Sequence, residues 1–534
     1  MRKRPIRMLL LSGILLLCMA GMMLQLFTIL RKNQVSEVSV RQGHYKLHVP
    51  LTDGTIYDRN FKSLNHPDEV ILAVVNPTAE TLAPIFTKIK DRSAVNEQLQ
   101  HVTPFYCELT EDAEQNQNLV VLHGSRKPAG PLCAQHILGY RQNGEAKSGL
   151  ELAFSDWLSA CDASADVTFT VSGRGEVLAG AERTVIRSGQ QGGGIVTTID
   201  RTIQQITEKA LAQAAPYAGA AVVMKIGTGE IAACASTPVY DPDHLAAAMS
   251  SADAPFLNRA FSAYSVGSVF KIVTAAAALE HGIPVKYMYE CDGDVSVYGQ
   301  QFRCHKWNGH GVLDMQQAMI QSCNPYFITL SQRMTPEVMH DTAEALGFGQ
   351  QNELADGLIS AGGYLQSIED LQIEAEKANM SFGQGKLLAT PLQVCAMTAA
   401  IADDGIYTAP KLIRGLTADG TALLAEFQPE QHRAVSSGTA AKVRRMMVSV
   451  IEKAKNTNGK PSNTRAAGKT STAQTGRTDA DGNELCHAWM TGFFPVNHPQ
   501  YAVTVLIEDG GSGNETAAPV FREIIERITE ASEP

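Results

Sequence analysis

Ser268 and Lys271 stand three residues apart in "SVGSVFKIV", directly ahead of the apolar run "IVTAAAALE". On a helix, residues i and i+3 share a face, with Cβ atoms about 5–6 Å apart. A serine hydroxyl is a poor nucleophile until its proton is removed. A neighbouring lysine can remove it if burial or a second cation lowers the lysine pKa. The first turn of a helix also carries partial positive charge, which favours a developing oxyanion. Taken alone, S-x-x-K more often marks a capped helix start with a solvated lysine.

Two further triplets change that balance. "QSCNPYF" contains Ser322-Cys323-Asn324, and "GKTSTAQTG" contains Lys469-Thr470-Ser471. Each has a plain reading by itself. Asn324 precedes a proline and can simply shape a loop, and Lys469 can be a solvated strand residue. Together, and in this order, they supply what serine acyl transfer needs: a nucleophile, a base, a second hydroxyl to move a proton, and a second cation.

These groups need a frame. "IVTTIDRTIQQITEKALAQA" reads as a short strand followed by an amphipathic helix. "GAAVVMKIGTGEIAACAS" reads as two strands around the turn Gly227-Thr228-Gly229. "RAAGKTSTAQTG", "HAWMTGFFP" and "YAVTVLIEDG" read as three more strands, and "APVFREIIERITEAS" as a closing helix. Strands at both ends of a mostly helical stretch predict one α/β domain over 195–534, its sheet built from both ends and covered by helices. "TDADGNEL" (478–485) is expected to be an exposed loop between two strands. Residues 31–190 are mixed and polar, with strand-like pieces such as "EVILAVVN" and "NLVVLHG". The glycine-rich "SGQQGGG" (188–194) marks a boundary.

The chain has 534 residues, enough for two or three domains. Its 45 Lys and Arg against 55 Asp and Glu give a net charge of -10, which offers no basic excess for nucleic-acid phosphates. Ten cysteines occur without a CxxC pair. Cys291 and Cys304 are candidates for a disulfide across a hairpin, with two buried free thiols as the alternative. At the N-terminus, "MRKRPIR" precedes an uncharged stretch over residues 8–30. At about 1.5 Å per residue that stretch can cross a bilayer about 30 Å thick. Basic residues ahead of it place the seven N-terminal residues in the cytoplasm and the bulk of the chain outside. It is long for a cleaved signal peptide, no A-x-A site follows it, and Leu17 is too large for a typical lipobox before Cys18. The expectation is a single uncleaved anchor.

The chain resembles the class B penicillin-binding proteins, monofunctional peptidoglycan D,D-transpeptidases. S-x-x-K, S-x-N and K-T-G in this order mark penicillin-binding proteins and serine β-lactamases. The likeness extends to "DGTIYDRN", "HILGY", "KSGLE", "MKIGTGEIAACASTPVYDP", "NRAFSAYSVGSVFK", "CHKWNGHG" and "SFGQGKLLATPLQV". It implies an α/β penicillin-binding transpeptidase domain with a central antiparallel sheet, a mixed α+β pedestal over 31–190, and one transmembrane helix. It implies that Ser268 attacks the carbonyl between the terminal D-alanines of a stem peptide and that Lys271 takes its proton. Ser322 would relay a proton to the leaving D-alanine, supported by Asn324 and Lys469. Thr470 would bind the terminal carboxylate, and the N–H groups of Ser268 and Thr472 would form the oxyanion hole. A β-lactam would acylate Ser268 in the same way. No cofactor is implied. The implied partners are peptidoglycan stem peptides, β-lactam antibiotics, the membrane and a polytopic glycosyltransferase.

The sequence departs from the family pattern in places. Val266 replaces a usual proline, Asp53 an arginine and Phe61 a glycine. Ser471 stands where the third motif usually has glycine. It shares a strand face with Lys469, so its side chain should narrow the gap to the serine helix. His305 and His310 beside Cys304 suggest a metal, but no further ligand at sensible spacing is evident, and the resemblance implies a "GHG" turn without metal. A β-lactamase, a membrane-bound β-lactam sensor, a non-catalytic scaffold and a D,D-carboxypeptidase are the competing functions. The motifs by themselves do not exclude the last.

Overall fold

The computed structural model describes residues 4–31, 43–101, 103–174, 176–214, 218–454 and 456–532, with side chains described over 12–28 of the first segment. The chain forms two compact units. The first comprises 1–53, 68–126 and 162–191. The second comprises 54–67, 127–161 and 192–534. Two stretches of the expected pedestal, 54–67 and 127–161, therefore pack with the larger unit. "HILGY" and "KSGLE" belong to that second stretch.

The first unit holds two three-stranded antiparallel sheets. In one, Ala163–Thr170 lies between His44–Thr52 and Thr184–Ser188. In the other, Asp68–Val75 lies between Phe105–Leu109 and Leu119–Arg126. Asp68–Val75 includes "EVILAVV", and Leu119–Arg126 includes "LVVLHG". Alternation splits the Asp68–Val75 strand between two cores: Val70, Leu72 and Val74 face one, and Ala73 and Val75 the other. The stretch expected to cross a membrane coincides with a 28-residue helix, Arg4–Arg31. Among the described residues, no helix is long and apolar enough to cross a membrane. Residues 8–11 and 29–30 of that stretch lie outside the described side chains.

The second unit is built on a five-stranded sheet. Its elements are α1 (Arg201–Ala212), β1 (Gly219–Lys225), β2 (Ile231–Thr237), α2 (Lys271–Glu280), α3 (Asn324–Ser331), α4 (Pro391–Ala402), β3 (Ala467–Thr478), β4 (Glu484–Phe494), β5 (Tyr501–Ile507) and α5 (Ala518–Ser532). The strand order is β2-β1-β5-β4-β3, every neighbour antiparallel. The sheet thus joins N- and C-terminal strands, as expected, and β3 lies at its edge. The 478–485 stretch is the exposed turn between β3 and β4.

Period-2 alternation divides each strand between two layers. In β1, Ala220, Val222 and Met224 enter one core, and Ala221 and Val223 the other. The second core is covered by the apolar faces of α1 and α5, through Ile203, Leu211, Phe521, Ile524 and Ile528. The first is filled by α2 and α4. Every residue of α4 is buried, and in α2 all but the last. The small side chains of "TAAAA" in α2 let neighbours approach closely. α4 starts on a reciprocal cap, in which Thr390 and Gln393 each hydrogen-bond the other's backbone. Buried polar links tie it to the sheet: Thr398 Oγ1 lies 2.7 Å from Thr491 Oγ1, which lies 2.7 Å from Thr504 Oγ1, and Cys395 Sγ donates to Val222 O and Ala502 O.

Candidate active site

Ser268 lies on a 3-10 turn, Gly267–Phe270, that runs straight into α2. The cap position of that turn is Val266, and Ser268 lies inside it. The capped-helix reading is therefore replaced by a different set of partners. Lys271 Nζ donates to Ser268 Oγ at 2.9 Å, and Ser322 Oγ lies 3.0 Å from Ser268 Oγ. Lys271 Nζ also reaches Ser322 O at 2.8 Å, Ser322 Oγ at 3.1 Å and Asn324 Oδ1 at 2.6 Å. Lys469 Nζ donates to Ser322 Oγ at 3.0 Å and to Thr470 O at 2.8 Å. Five residues from three motifs thus share one hydrogen-bond network.

Three elements converge to make it. The Gly267–Phe270 turn running into α2 brings Ser268 and Lys271. Ser322 ends the helix Met315–Gln321 in a left-handed conformation, φ 51°, and α3 begins at Asn324. That turn throws the Ser322 and Asn324 side chains toward Lys271. Pro325 in the first turn of α3 fits because its missing N–H has no helical acceptor there anyway. β3 supplies Lys469 from the sheet edge. Along it Lys469, Ser471 and Ala473 are buried, whereas Thr472 and Gln474 are exposed and Thr470 half-buried. The motif residues Thr470 and Thr472 therefore project from the other side of the strand. Thr472 Oγ1 accepts a hydrogen bond from the Gly513 N–H at 3.2 Å.

Electrostatics match the geometry. Lys271 is fully buried. Desolvation first, then the charge of Lys469, drives its pKa well below the ordinary lysine value. Burial pushes Lys469 down to about 7. A lysine shifted in this direction and held 2.9 Å from a serine hydroxyl has the geometry that a general base needs. Ser268 itself is half-buried.

The structure adds positioning residues that the motifs did not name. Gly267 has φ +56°, and its N–H donates to Gly383 O at 2.8 Å. A Cβ on Gly383 would lie 2.0 Å from Gly267 O, so the "SFGQG" glycine lets two backbones meet behind the nucleophile. The strand leading to Ser268 is held by Trp489 Nε1, which donates to Ser265 O at 2.9 Å. Tyr264 OH donates to Glu508 Oε1 at 2.6 Å, and Arg259 pairs with Glu508 at 3.1 Å. Val266, in place of the usual proline, is fully buried with helical backbone angles. Ser471 presses its hydroxyl toward Gly267, narrowing the gap as expected: a Cβ on Gly267 would lie 2.4 Å from Ser471 Oγ.

Cys291 and Cys304 are free thiols. The ligands that the sequence reading did not find beside His310 are present in space. The Sγ atoms of Cys291, Cys304 and Cys323 and a ring nitrogen of His310 all lie within 4.8 Å of one another. The His305 ring, by contrast, lies tilted 57° to that of His310 at 5.1 Å between centroids and does not join that group.

Comparisons with known proteins agree with this architecture. A family model described as the penicillin binding protein transpeptidase domain matches residues 219–526. The chain is 32% identical over 362 residues to Peptidoglycan D,D-transpeptidase PbpA of Mycolicibacterium smegmatis, covering 63% of this chain and 72% of that protein. It is 29% identical over 411 residues to Stage V sporulation protein D of Bacillus subtilis, covering 73% of this chain and 61% of that one. The ceftriaxone acyl-enzyme complex of penicillin-binding protein A from M. tuberculosis superimposes with a TM-score of 0.64 at 26% identity, over 77% of this chain and 93% of that one.

Proposed function

The chain belongs to the penicillin-binding protein transpeptidase family, in its class B branch, and on that premise we propose the residue roles and cellular setting that follow. The protein is a peptidoglycan D,D-transpeptidase that works through an acyl-serine and binds penicillin covalently. The observation that carries the assignment of roles is the sharing of Ser268 Oγ between Lys271 Nζ and Ser322 Oγ in a buried site.

Neutral Lys271 takes the proton of Ser268 as the hydroxyl attacks the carbonyl of a D-Ala-D-Ala terminus. The N–H groups of Ser268 and Thr472 receive the oxyanion, an arrangement worth about 3–4 kcal/mol for a single donor. Thr470, beside Lys469, binds the terminal carboxylate. Ser322, polarised by Lys469, passes a proton to the amine of the leaving D-alanine. Asn324 holds Lys271 in line. An amine of a second stem peptide then attacks the ester, releasing Ser268 and forming the cross-link. A β-lactam opens on Ser268 by the same steps but leaves no departing group, so the ester persists.

The setting rests on the sequence and the family likeness. The apolar stretch 8–30 anchors the chain as a single span, with 195–534 outside the membrane and the first unit's segments within 31–190 as its pedestal. The partner is a polytopic membrane glycosyltransferase that supplies nascent glycan strands.

Incubating the full-length chain in detergent with a fluorescent penicillin tests the catalytic reading. A stable adduct on wild type that is lost in Ser268→Ala is expected. Rapid turnover of the drug points to a β-lactamase, and no adduct to a scaffold. Release of D-alanine from a stem peptide without a cross-linked product points to a carboxypeptidase.

A further inference from the structure

We propose that Cys291, Cys304, His310 and Cys323 bind one Zn2+ ion, and that this ion pins the turn carrying Ser322 and Asn324. Occupancy of the site is independent of the transpeptidase reading; its effect on acylation rests on that reading.

The donor set is the first argument. Three thiols and one imidazole are a complete ligand shell for structural zinc, which takes four N and S ligands in a tetrahedron. The spacing is the second. With Zn–S about 2.3 Å and Zn–N about 2.0–2.1 Å, the edges of such a tetrahedron are about 3.5–3.8 Å. His310 Nδ1 lies 3.4 Å from Cys304 Sγ and 3.7 Å from Cys291 Sγ. No pair among the four ligand atoms exceeds 4.8 Å. Unmetallated side chains at this spacing need only a small contraction to close on an ion.

The scaffold is built for the convergence. Cys291 ends the strand Tyr289–Cys291 opposite Gly311, the residue after His310. The Cys304 N–H donates to Gly293 O at 2.8 Å. Gly293, at φ +118°, and Gly309, at φ +74°, let the two ligand-bearing turns interlock. A Cβ on Gly293 would lie 2.1 Å from Trp307 O, and one on Gly309 would lie 2.1 Å from Cys291 O. The three cysteines are buried, with Cys323 wholly inaccessible, so the site is closed on its protein side. Thiolate donors favour Zn2+ over the hard cations Mg2+ and Ca2+.

The position of the fourth ligand gives the site its consequence. Cys323 lies between Ser322 and Asn324, whose side chains both contact Lys271. Ser322 occupies a left-handed conformation that a non-glycine residue adopts only at a cost. A metal bond to the next residue holds that conformation without touching the substrate. Zn2+ here is a positioning ion, and its binding releases the three thiol protons to solvent.

The test uses full-length protein purified in detergent without chelator. Elemental analysis should find about one zinc per chain, falling to background in Cys304→Ala and His310→Ala. Protein stripped of metal should take up one equivalent of Co2+, with the thiolate-to-cobalt charge-transfer band and the visible bands of a tetrahedral centre. Removing zinc should slow labelling by a fluorescent penicillin about 10-fold or more, and restoring Zn2+ should recover it. Folded protein that holds no zinc and takes up no Co2+ overturns the site, as does a disulfide among the three cysteines. Full-rate acylation by the stripped protein overturns the positioning role. Stoichiometric zinc in a chain that never acylates would leave the metal site standing and sink the transpeptidase reading instead.

Discussion

The Ser471 hydroxyl faces Gly267, the residue immediately before the nucleophile, and finds no hydrogen-bond partner among the described residues. A buried hydroxyl without a partner costs about 1–3 kcal/mol. Ser471→Ala should therefore stabilise the protein by about 1 kcal/mol while penicillin labelling persists, and Ser471→Gly should also retain labelling, at an altered rate. Thermal melts and labelling time courses check both. An acylation rate identical in wild type and Ser471→Gly would show that this side chain does not tune the site.

Gly267 is under a double constraint, a positive φ and the approach of Ser471 and Ala473. Gly267→Ala should lower the acylation rate about 10-fold or more, because the Cβ displaces either the Ser268 turn or β3 and even small misplacements of a nucleophile are costly. Combining it with Ser471→Gly removes the nearest clash, though not the left-handed backbone. The double variant should recover part of the rate. Strict additivity of the two substitutions would mean that the two residues are not coupled.

The buried lysines trade stability for chemistry. Lys271→Met should abolish labelling, a loss of about 100-fold or more for a general base, and yet raise the melting temperature. Lys469→Met should slow acylation and raise the melting temperature by about 1 °C for each kcal/mol of relieved desolvation in a unit of this size. A fall in melting temperature in both variants would mean that the lysines stabilise the fold.

The pH dependence follows from the same depressed values. Lys469 has a folded pKa of about 7 against an ordinary value of 10.5, so between these limits the unfolded chain holds a proton that the folded chain has released. Stability then rises with pH across that window. The cost of this lysine is fully present below pH 7 and absent above about 10.5. The advantage of Lys469→Met in melting temperature should accordingly shrink as pH rises from 7. Acylation needs neutral Lys271 and charged Lys469. Loss of the Lys271 proton should raise the rate, and loss of the Lys469 proton, around pH 7, should lower it for β-lactams bearing a carboxylate. The falling limb should be missing in Lys469→Met, and its survival there would assign it to another group.

Phe61 occupies a left-handed turn, φ 60°, where family members usually carry glycine. Phe61→Gly should stabilise the second unit by up to about 1 kcal/mol, the backbone relief being partly offset by loss of the ring contact with Tyr57. A denaturant melt shows the sign.

Local pattern carried most of the transpeptidase frame. The five strands and the closing helix were legible because short apolar runs beside turn residues, such as "GAAVVMK" before Gly227-Thr228-Gly229, and helical spacing in "APVFREIIERIT" mark buried elements. Ser268, Lys271, Ser322, Asn324 and Lys469 were legible because acyl transfer needs those side chains and the motifs hold each at a fixed local offset. The route of the chain between units was not. Residues 54–67 and 127–161 look as polar and irregular as their neighbours, and only packing assigns them to the larger unit. Nor was the convergence of Cys291, Cys304, His310 and Cys323. Their spacing along the chain follows no ligand pattern, since the interlocked turns at Gly293 and Gly309 and the start of α3 bring them together. Residue types decided the chemistry that this chain can perform. The tertiary fold alone decided which hydroxyl Lys271 faces, how far Lys469 is desolvated, and that the thiol between Ser322 and Asn324 meets two others and an imidazole, because distances across the chain are set by packing and not by sequence offset.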